Sequence, residues 1–207
     1  MGQIALPLRG GPGAGPARIV LGNANAQAFE ALARPESWPF RTAVLAGPPR
    51  SGKSLAARWF AAQNHGPNAC VAIDDADRLD EAELFHRWNR AQESGTPLLL
   101  VSGAQGWEIA LPDLRSRIGA ALHLELGGPD DEMAAALIEA HAEQRGLVLG
   151  EGATTYLVPR AGRSFAALEA LVETIDRIGL ERKQPATLSV WREALERVNG
   201  AEQPRLF

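Results

Sequence analysis

The amino-acid sequence predicts an α/β fold with a reduced parallel sheet of about four strands, followed by a small all-α domain. Four short apolar runs alternate with helical patterns, which is typical of buried parallel strands and their crossover helices. After Gly127 and Gly128 the pattern changes to helical stretches without a convincing strand. The predicted strands are residues 42–46, 69–73, 97–101 and 121–126.

The predicted boundaries divide the chain into four segments. Residues 1–17 form a flexible tail, 18–127 the α/β domain, 128–199 the helical domain and 200–207 a second tail. The Gly/Pro run of residues 10–16 predicts a flexible spacer behind the first tail. The predicted helices are residues 53–63, 80–94 and 111–118 in the first domain, and 130–145, 151–160, 164–179 and 187–198 in the second.

Composition limits the classes of function. The chain has 207 residues, of which 45% are apolar and 22% charged, and its net charge is −4. This acidic balance argues against a dedicated nucleic-acid binder, so we expect little direct contact with DNA. The single cysteine, Cys70, excludes an internal disulfide framework and a multi-cysteine zinc site. The longest apolar run, residues 97–101, is too short to cross a bilayer, so we expect no membrane contact and a cytoplasmic location.

A phosphate-loop motif follows the first predicted strand. The stretch GPPRSGKS matches G-x-x-x-x-G-K-[ST] in full and precedes a predicted helix, a context that a chance glycine-rich turn lacks. Gly47 and Gly52 let backbone N–H groups approach phosphates. Lys53 reaches the outer phosphates, and Ser54 can ligate Mg²⁺. The predicted nucleotide-binding residues are Gly47, Pro48, Pro49, Arg50, Ser51, Gly52, Lys53, Ser54 and Leu55.

Two adjacent acids end the next predicted strand. The run ACVAIDD places Asp74 and Asp75 directly behind apolar residues, as in a Walker B element. Asp74 would hold the Mg²⁺ shell and Asp75 would orient or polarise an attacking water, because phosphoryl transfer depends on positioning and charge stabilisation. A solvated turn is the alternative. Asp77 and Asp80 are predicted to cap the helix that follows.

Three stretches carry a family resemblance: GPPRSGKS, AIDDADRLDEAELFHRWN with the apolar strand behind it, and LPDLRSRI. Together they resemble the AAA+ domain of the replication initiator DnaA, and especially its shorter relatives of the Hda family. LFHRWN before a short loop and a strand is typical of both, and LPDLxSR is close to the Hda form. The resemblance spans roughly residues 18–198. It implies an AAA+ nucleotide-binding domain with a helical lid, and DnaA as a partner.

The resemblance also assigns a role to Arg117. In LRSRI it stands where the family carries an arginine finger, which acts in trans on nucleotide bound by a neighbouring subunit. An arginine at developing phosphate charge raises the hydrolysis rate by roughly 10³–10⁵. The alternative is a helix-surface arginine of little energetic weight, as expected for Arg115. The predicted catalytic residues are therefore Arg117 and Asp75.

The sequence departs from the family pattern at three places, of which the first argues against DNA remodelling and the other two weaken hydrolysis by the chain itself. Only QNHGPNA separates the phosphate-loop helix from the Walker B strand, where a full AAA+ domain has a further strand. Ala166 stands at the position of the sensor-2 arginine, with Arg163 one turn earlier as a candidate substitute. Gly103 replaces the polar sensor-1 residue and leaves Ser102 nearby. These losses predict weak or no intrinsic ATPase and a nucleotide, ADP or ATP, held as a structural or regulatory ligand.

The N-terminal tail carries a motif for the DNA polymerase sliding clamp. QIALPL matches the clamp-binding form of Hda-type proteins. Such a peptide docks extended, with its amide oriented by hydrogen bonds and its leucines in an apolar pocket. An edge strand or a packed tail is the alternative. The predicted clamp-binding residues here are Gln3, Leu6, Pro7 and Leu8.

The C-terminal tail carries a second candidate of this kind. QPRLF fits a clamp pentapeptide, and with two such peptides one chain could engage two pockets of the clamp ring. The alternative is that these residues fold back onto the lid. The residues concerned are Gln203, Leu206 and Phe207.

The resemblance as a whole implies a regulator of replication initiation. Such a protein would bind the clamp, which is the β subunit of the polymerase, hold ADP or ATP with Mg²⁺, and stimulate hydrolysis of ATP bound to DnaA. Two other functions stay open: a clamp-tethered adaptor whose AAA+ domain makes no catalytic contribution, and a stand-alone P-loop ATPase. The sequence leaves homo-oligomers open as well.

Overall fold

The computed structural model describes residues 5–7, 18–62, 69–103 and 107–202. The chain forms two compact units. Asn25–Gly127 make the first, called the sheet unit below, and Met1–Ala24 with Gly128–Phe207 make the second, called the helical unit. We expected residues 18–24 in the α/β domain, whereas the structure groups them with the helical unit.

Four parallel strands form the core of the sheet unit, in the order β4, β5, β3, β6. The strands of the described chain are β1 (Ala5–Pro7), β2 (Arg18–Val20), β3 (Thr42–Ala46), β4 (Val71–Ile73), β5 (Leu98–Val101) and β6 (Leu122–Glu125). In the centre of the sheet, Val44 of β3 pairs with Leu100 of β5 and with His123 of β6. The predicted fold class is confirmed, because each apolar run forms a strand in a parallel ladder.

Helices connect the strands as the sequence pattern predicts. The described α-helices are α1 (Ala26–Leu32), α2 (Lys53–Ala62), α3 (Glu81–Ser94), α4 (Pro112–Gly119), α5 (Asp131–Arg145), α6 (Ala153–Leu157), α7 (Phe165–Arg182) and α8 (Leu188–Glu202). Asp80 begins α3, since its carboxylate accepts a hydrogen bond from the Glu83 N–H at 3.0 Å, as predicted. Gly95 ends α3 with φ of 64°, a conformation that favours glycine.

The core of the sheet unit lies where α3 and α4 pack on the strands. Leu84, Trp88 and Ala91 are buried on one face of α3, at spacings of four and three residues that bring side chains to the same side of a helix. Leu114 and Ile118 repeat the spacing on α4. The cluster consists of Val44, Ile73, Ala76, Leu84, Trp88, Ala91, Leu98, Leu100, Ile109, Leu114, Ile118 and Ala121.

The helical unit packs α5, α6, α7 and α8 around their own apolar core. Asp130 caps α5 by accepting from the Met133 N–H at 2.8 Å, and Ser164 caps α7 by accepting from the Ala167 N–H at 3.1 Å. Ile138, Leu157, Val172 and Val190 are fully buried, among other residues, in this core. None of the helices that the structure describes is long and apolar enough to span a membrane.

Part of the N-terminal tail is paired, which differs from the unpaired tail that we predicted. Strand β1 runs antiparallel to β2, with Ala5 opposite Val20 and Pro7 opposite Arg18. This pairing gives the backbone of Ala5–Pro7 hydrogen-bond partners on one side, and Pro7 stands at the strand end, where a missing N–H is tolerated. The remaining predicted clamp residues, Gln3, Leu8, Gln203, Leu206 and Phe207, lie outside the described residues.

Candidate functional site

The phosphate loop joins the end of β3 to the start of α2. Arg50 and Gly52 both have a left-handed backbone, with φ of 64° and 88°, so the chain reverses sharply before the helix. The Gly52 carbonyl accepts the N–H of Ala56 at 2.9 Å and starts the helical hydrogen bonds. The loop therefore lies at the N-terminus of α2, where free backbone N–H groups favour an anion.

Gly47 is required by a close approach to the end of the last strand of the sheet. A Cβ atom at this position would stand 2.8 Å from the Leu126 Cβ and 3.1 Å from the Leu126 carbonyl oxygen. The Leu126 N–H donates to the Ala46 carbonyl at 2.8 Å and holds the two segments together. The first glycine of the motif thus fits the loop against Leu126 without a side chain.

Lys53 is bound by its own loop. Its ammonium group donates to the carbonyls of Gly47 at 2.8 Å and Pro48 at 2.9 Å. Desolvation lowers the pKa of Lys53 below its usual value, while the charges of Asp74, Asp75 and Asp77 act in the opposite direction, Asp74 most strongly. The lysine and the three acids therefore form one electrostatic group at the carboxyl ends of the strands.

Two serines of the motif lie in different environments. The Ser51 hydroxyl is buried and has no hydrogen-bond partner among the described residues. Ser54 is exposed in the first turn of α2. A buried hydroxyl without a partner beside a helix N-terminus fits an anion site, since phosphate oxygens accept hydrogen bonds. Pro49 and Arg50 are exposed at the tip of the loop, and Leu55 is half-buried.

The two predicted Walker B acids are exposed where β4 ends. The Asp74 carboxylate accepts the N–H of Asp75 at 3.2 Å. Asp75 has a left-handed backbone with φ of 50°, and its carboxylate lies 3.9 Å from the Arg78 guanidinium. Both side chains of this ion pair are exposed, so the pair contributes little to stability. Of the acids near Lys53, Asp74 has the largest effect on the lysine pKa.

Asp77 does not cap α3, contrary to our prediction. Asp80 occupies the cap position, and the Asp77 carboxylate instead accepts the N–H of Gly103 at 3.1 Å. A Cβ atom on Gly103 would lie 3.6 Å from the same carboxylate oxygen, in ordinary contact. The turn after β4 is thereby fastened to the loop after β5. Ser102, the other residue considered for sensor 1, is buried, and its N–H donates to the Leu45 carbonyl at 3.0 Å.

Arg117 is half-buried on α4 against two aromatic rings of α3. Its guanidinium carbon lies 4.4 Å from the centre of the Trp88 ring and 5.0 Å from that of Phe85. Arg115, two residues earlier, donates from Nε to the Ile109 carbonyl at 2.7 Å. The Glu81 carboxylate accepts the N–H groups of both residues that precede α4, at 2.8 and 2.6 Å. Glu81 thus joins the start of α3 to the start of α4, and Arg117 contacts the rings of α3 from the last turn of α4.

The candidate sensor-2 residues belong to the helical unit. The Arg163 guanidinium contacts the Asp131 carboxylate at 2.7 Å, and both side chains are exposed. Ala166 is exposed in the first turn of α7. An exposed ion pair of this kind is weak and salt-sensitive, so it leaves Arg163 able to exchange partners.

The roles of three residues in this region were not predicted from the sequence. Asp77 accepts a hydrogen bond from Gly103, and the rings of Phe85 and Trp88 contact Arg117. The sequence contains only a partial indication of each role. Asp77 is a third acid within four residues, and the aromatic residues stand three apart in LFHRWN, on one helix face.

The fold is similar to solved AAA+ structures. Domain III of the replication initiation protein DnaA from Thermotoga maritima matches with a TM-score of 0.72 and 18% identity, over 87% of this chain and 94% of that chain. AMPPCP-bound DnaA from Aquifex aeolicus matches with a TM-score of 0.61 and 17% identity, over 80% of this chain and 66% of that chain. A RuvB variant of Thermotoga maritima matches with a TM-score of 0.60 and 20% identity, over 84% of this chain and 68% of that chain. At such identities these matches establish the fold.

Two further similarities lie in the sequence. An uncharacterized protein of Haemophilus influenzae is 29% identical over 133 residues, which make up 60% of this chain and 58% of that protein. The match therefore spans less than two thirds of this relative. Residues 130–195 match the family model of the Hda lid domain. The chain thus combines a DnaA-like fold over most of its length with a segment, residues 130–195, that is similar to the Hda lid domain.

Proposed function

We propose that this chain is an Hda-like regulator of replication initiation, which stimulates the hydrolysis of ATP bound to DnaA while it is tethered to the sliding clamp. The observation that carries this proposal is the Hda lid match at residues 130–195, behind a DnaA-like fold. The predicted arginine-finger motif lies in the same chain and adds the chemical group that the function needs.

The chain's own nucleotide, ADP or ATP, would bind at the phosphate loop. Lys53 supplies charge, and the loop supplies backbone N–H donors at the start of α2. Ser54 and Asp74 offer hard oxygen ligands for Mg²⁺. Among the described residues no cluster of three or more His, Cys, Asp or Glu side chains could hold a metal alone, so the nucleotide would supply other ligands of the Mg²⁺ shell. Asp75 would orient a water if any hydrolysis occurs at this site.

Arg117 would act on the nucleotide of the partner. Arginine binds phosphate through a planar fork of N–H donors, and its charge is permanent at physiological pH. Brought to the γ-phosphate of ATP on DnaA, it would stabilise the charge that develops during hydrolysis. The wild-type chain therefore lowers the barrier in DnaA without transferring a group to itself.

The tail peptides would provide the tether. Gln3, Leu6, Pro7 and Leu8 form the first candidate, and their match to the clamp-binding form supports it. The C-terminal peptide, with Gln203, Leu206 and Phe207, is the second. If both bind one clamp ring, the second contact occurs at a high effective concentration, on the order of millimolar for short flexible linkers. DNA contact is not required for this tether, in line with the net charge of −4.

The test is an assay of DnaA–ATP hydrolysis with purified protein, DnaA and DNA-loaded clamp, each omitted in turn. We expect stimulation only when all three are present. Alanine at Gln3 and Leu6, and separately at Gln203 and Phe207, should weaken clamp binding and raise the protein concentration needed for stimulation. Stimulation that ignores the clamp would reject the tether. No stimulation at all would reject the regulatory function, and appreciable turnover by the isolated protein would favour a stand-alone ATPase.

A further inference from the structure

The way in which Arg117 is held suggests a role for its aromatic neighbours, and this inference rests on the proposed function. Within the described part of the chain, Arg117 has no hydrogen bond and no ion pair, and its contacts are the rings of Phe85 and Trp88. We propose that Phe85 and Trp88 are positioning residues. They hold the guanidinium by its attraction to the ring faces and leave its N–H donors available for a phosphate of the partner's nucleotide.

The chemistry of the contact explains why the donors stay available. A cation over an aromatic face is attracted by the ring quadrupole, and this attraction uses none of the five N–H donors of the guanidinium. A carboxylate partner would occupy the same fork that a phosphate needs. The aromatic pair therefore fixes the position of the cation without competing for its hydrogen bonds.

Trp88 is a costly residue if it serves only for packing. It is 6% exposed, and its indole N–H is buried without a hydrogen-bond partner among the described residues. A leucine or methionine would fill apolar space here without a buried donor. What the indole adds is the ring face that binds cations best among the aromatic side chains.

The surrounding contacts keep the rings and the arginine in register. Trp88 belongs to the apolar core with Leu114 and Ile118, which flank Arg117 on α4, and Phe85 packs against this core. The carboxylate of Glu81 holds the N-terminus of α4 next to α3. Since side chains that are fixed by packing lose little freedom on binding, Arg117 is preorganised for its target.

The test compares Trp88→Leu and Trp88→Phe, each alone and combined with Arg117→Ala. Trp191→Leu is the matched control, because Trp191 is also 6% exposed with an unpartnered buried N–H but has Tyr156 as its ring neighbour. Phe85→Leu, at a half-buried site, serves if Trp88→Leu does not fold. The readouts are the maximal rate of stimulated DnaA–ATP hydrolysis, the half-saturating concentration, ADP affinity of the chain itself, and the NMR shift of the Arg117 Cδ protons.

We expect Trp88→Leu to lower the maximal rate by about 3- to 30-fold, the range that a cation–π contact accounts for. ADP affinity should stay unchanged, Trp88→Phe should recover part of the rate, and Trp88→Leu should have no further effect once Arg117 is alanine. In the wild type, ring currents should move the Cδ protons upfield, and Trp88→Leu should abolish the shift.

Three results would overturn the inference. An unshifted Cδ signal in the wild type removes the contact itself, whether or not DnaA is stimulated. A normal shift with an unchanged rate in both Trp88→Leu and Phe85→Leu removes the positioning role. Equal losses in Trp88→Leu and Trp191→Leu, with weaker ADP binding in both, would assign Trp88 to stability alone. If the wild-type chain does not raise DnaA–ATP hydrolysis above its basal rate, the proposed function and this role are both rejected. This outcome differs from the other three because the wild type itself is inactive.

Discussion

Lys53 and Arg117 are two cations of the same unit in opposite environments. The ammonium group of Lys53 is surrounded by oxygen, with two loop carbonyls as acceptors and three carboxylates near enough to affect its pKa. The guanidinium of Arg117 faces two aromatic rings and has no acceptor within the described residues. A phosphate at the loop therefore meets a lysine with two of its three donors already used, whereas a phosphate at Arg117 meets unused donors.

These environments fit different ligands: that of Lys53 fits a nucleotide bound by the chain itself, and that of Arg117 fits a phosphate supplied by a partner. A lysine exchanges acceptors readily because its ammonium is a compact charge on a flexible stem. An arginine with a fixed plane and unused donors gains its hydrogen bonds only when a partner supplies the acceptor.

The largest effect is expected for Arg117→Ala. Stimulated hydrolysis of DnaA-bound ATP should fall by roughly 10³–10⁵, because a finger acts in the transition state. ADP binding by the variant and its clamp affinity should equal those of the wild type in calorimetry. The control is Arg115→Ala, which loses the hydrogen bond to Ile109, about 1 kcal/mol of stability, and should keep the rate. Unchanged stimulation in Arg117→Ala would support the adaptor function.

Lys53→Ala should weaken nucleotide binding by the chain itself by about 10- to 100-fold, the range for hydrogen bonds to a charged group. Isothermal titration with ADP and with ATP measures it. Lys183→Ala is the matched control, because Lys183 is exposed at the end of α7 and is the only other lysine of the chain. Equal affinities in the two variants would show that the loop is not used as proposed.

Gly47→Ala should destabilise the phosphate loop. Its new methyl group would stand 2.8 Å from the Leu126 side chain, and such overpacking costs about 1–3 kcal/mol. Chemical denaturation and ADP titration should both register the change. Gly128→Ala, where a Cβ meets nothing within 4 Å, should behave like the wild type. A Gly47→Ala protein of wild-type stability would contradict the close approach of loop and strand.

The smallest effect concerns pH. Because burial lowers the pKa of Lys53, the unfolded chain binds more protons than the folded chain between this lowered pKa and the usual lysine value of 10.5. The free energy of unfolding contributed by this group therefore rises with pH across that window, and at neutral pH its charge opposes folding slightly. Lys53→Met should lose this dependence, while Lys183→Met retains it. Identical profiles for the wild type and Lys53→Met would contradict the shift.

Local patterns predicted most of the fold, and tertiary contacts account for what they missed. The apolar runs predicted β3 and β5 correctly because both strands are buried. The motif GPPRSGKS predicted the loop because the left-handed backbone at Gly52 favours glycine. The contact of Asp77 with Gly103 joins residues 26 apart, and no local rule selects it over a helix cap. The rings under Arg117 depend likewise on how α3 lies against α4.

The N-terminal strand shows the limit of composition. The glycine and proline content of residues 10–16 predicted a free tail, but such a composition does not prevent the apolar peptide from pairing with its own chain. The pairing of β1 with β2 needs only three residues on each side. For the tether, the N-terminal peptide would first have to leave this pairing, so its apparent affinity for a clamp is the intrinsic affinity multiplied by the fraction of chains in which the peptide is unpaired.

The short outer strand of the sheet has a consequence for how the protein behaves at high concentration. β4 ends the strand order, pairs with β5 alone among the described residues, and is only three residues long. Long, flat edges recruit strands from other molecules, whereas short edges followed by charge do not. With Asp74 and Asp75 directly behind it, β4 is a poor template for intermolecular strand addition.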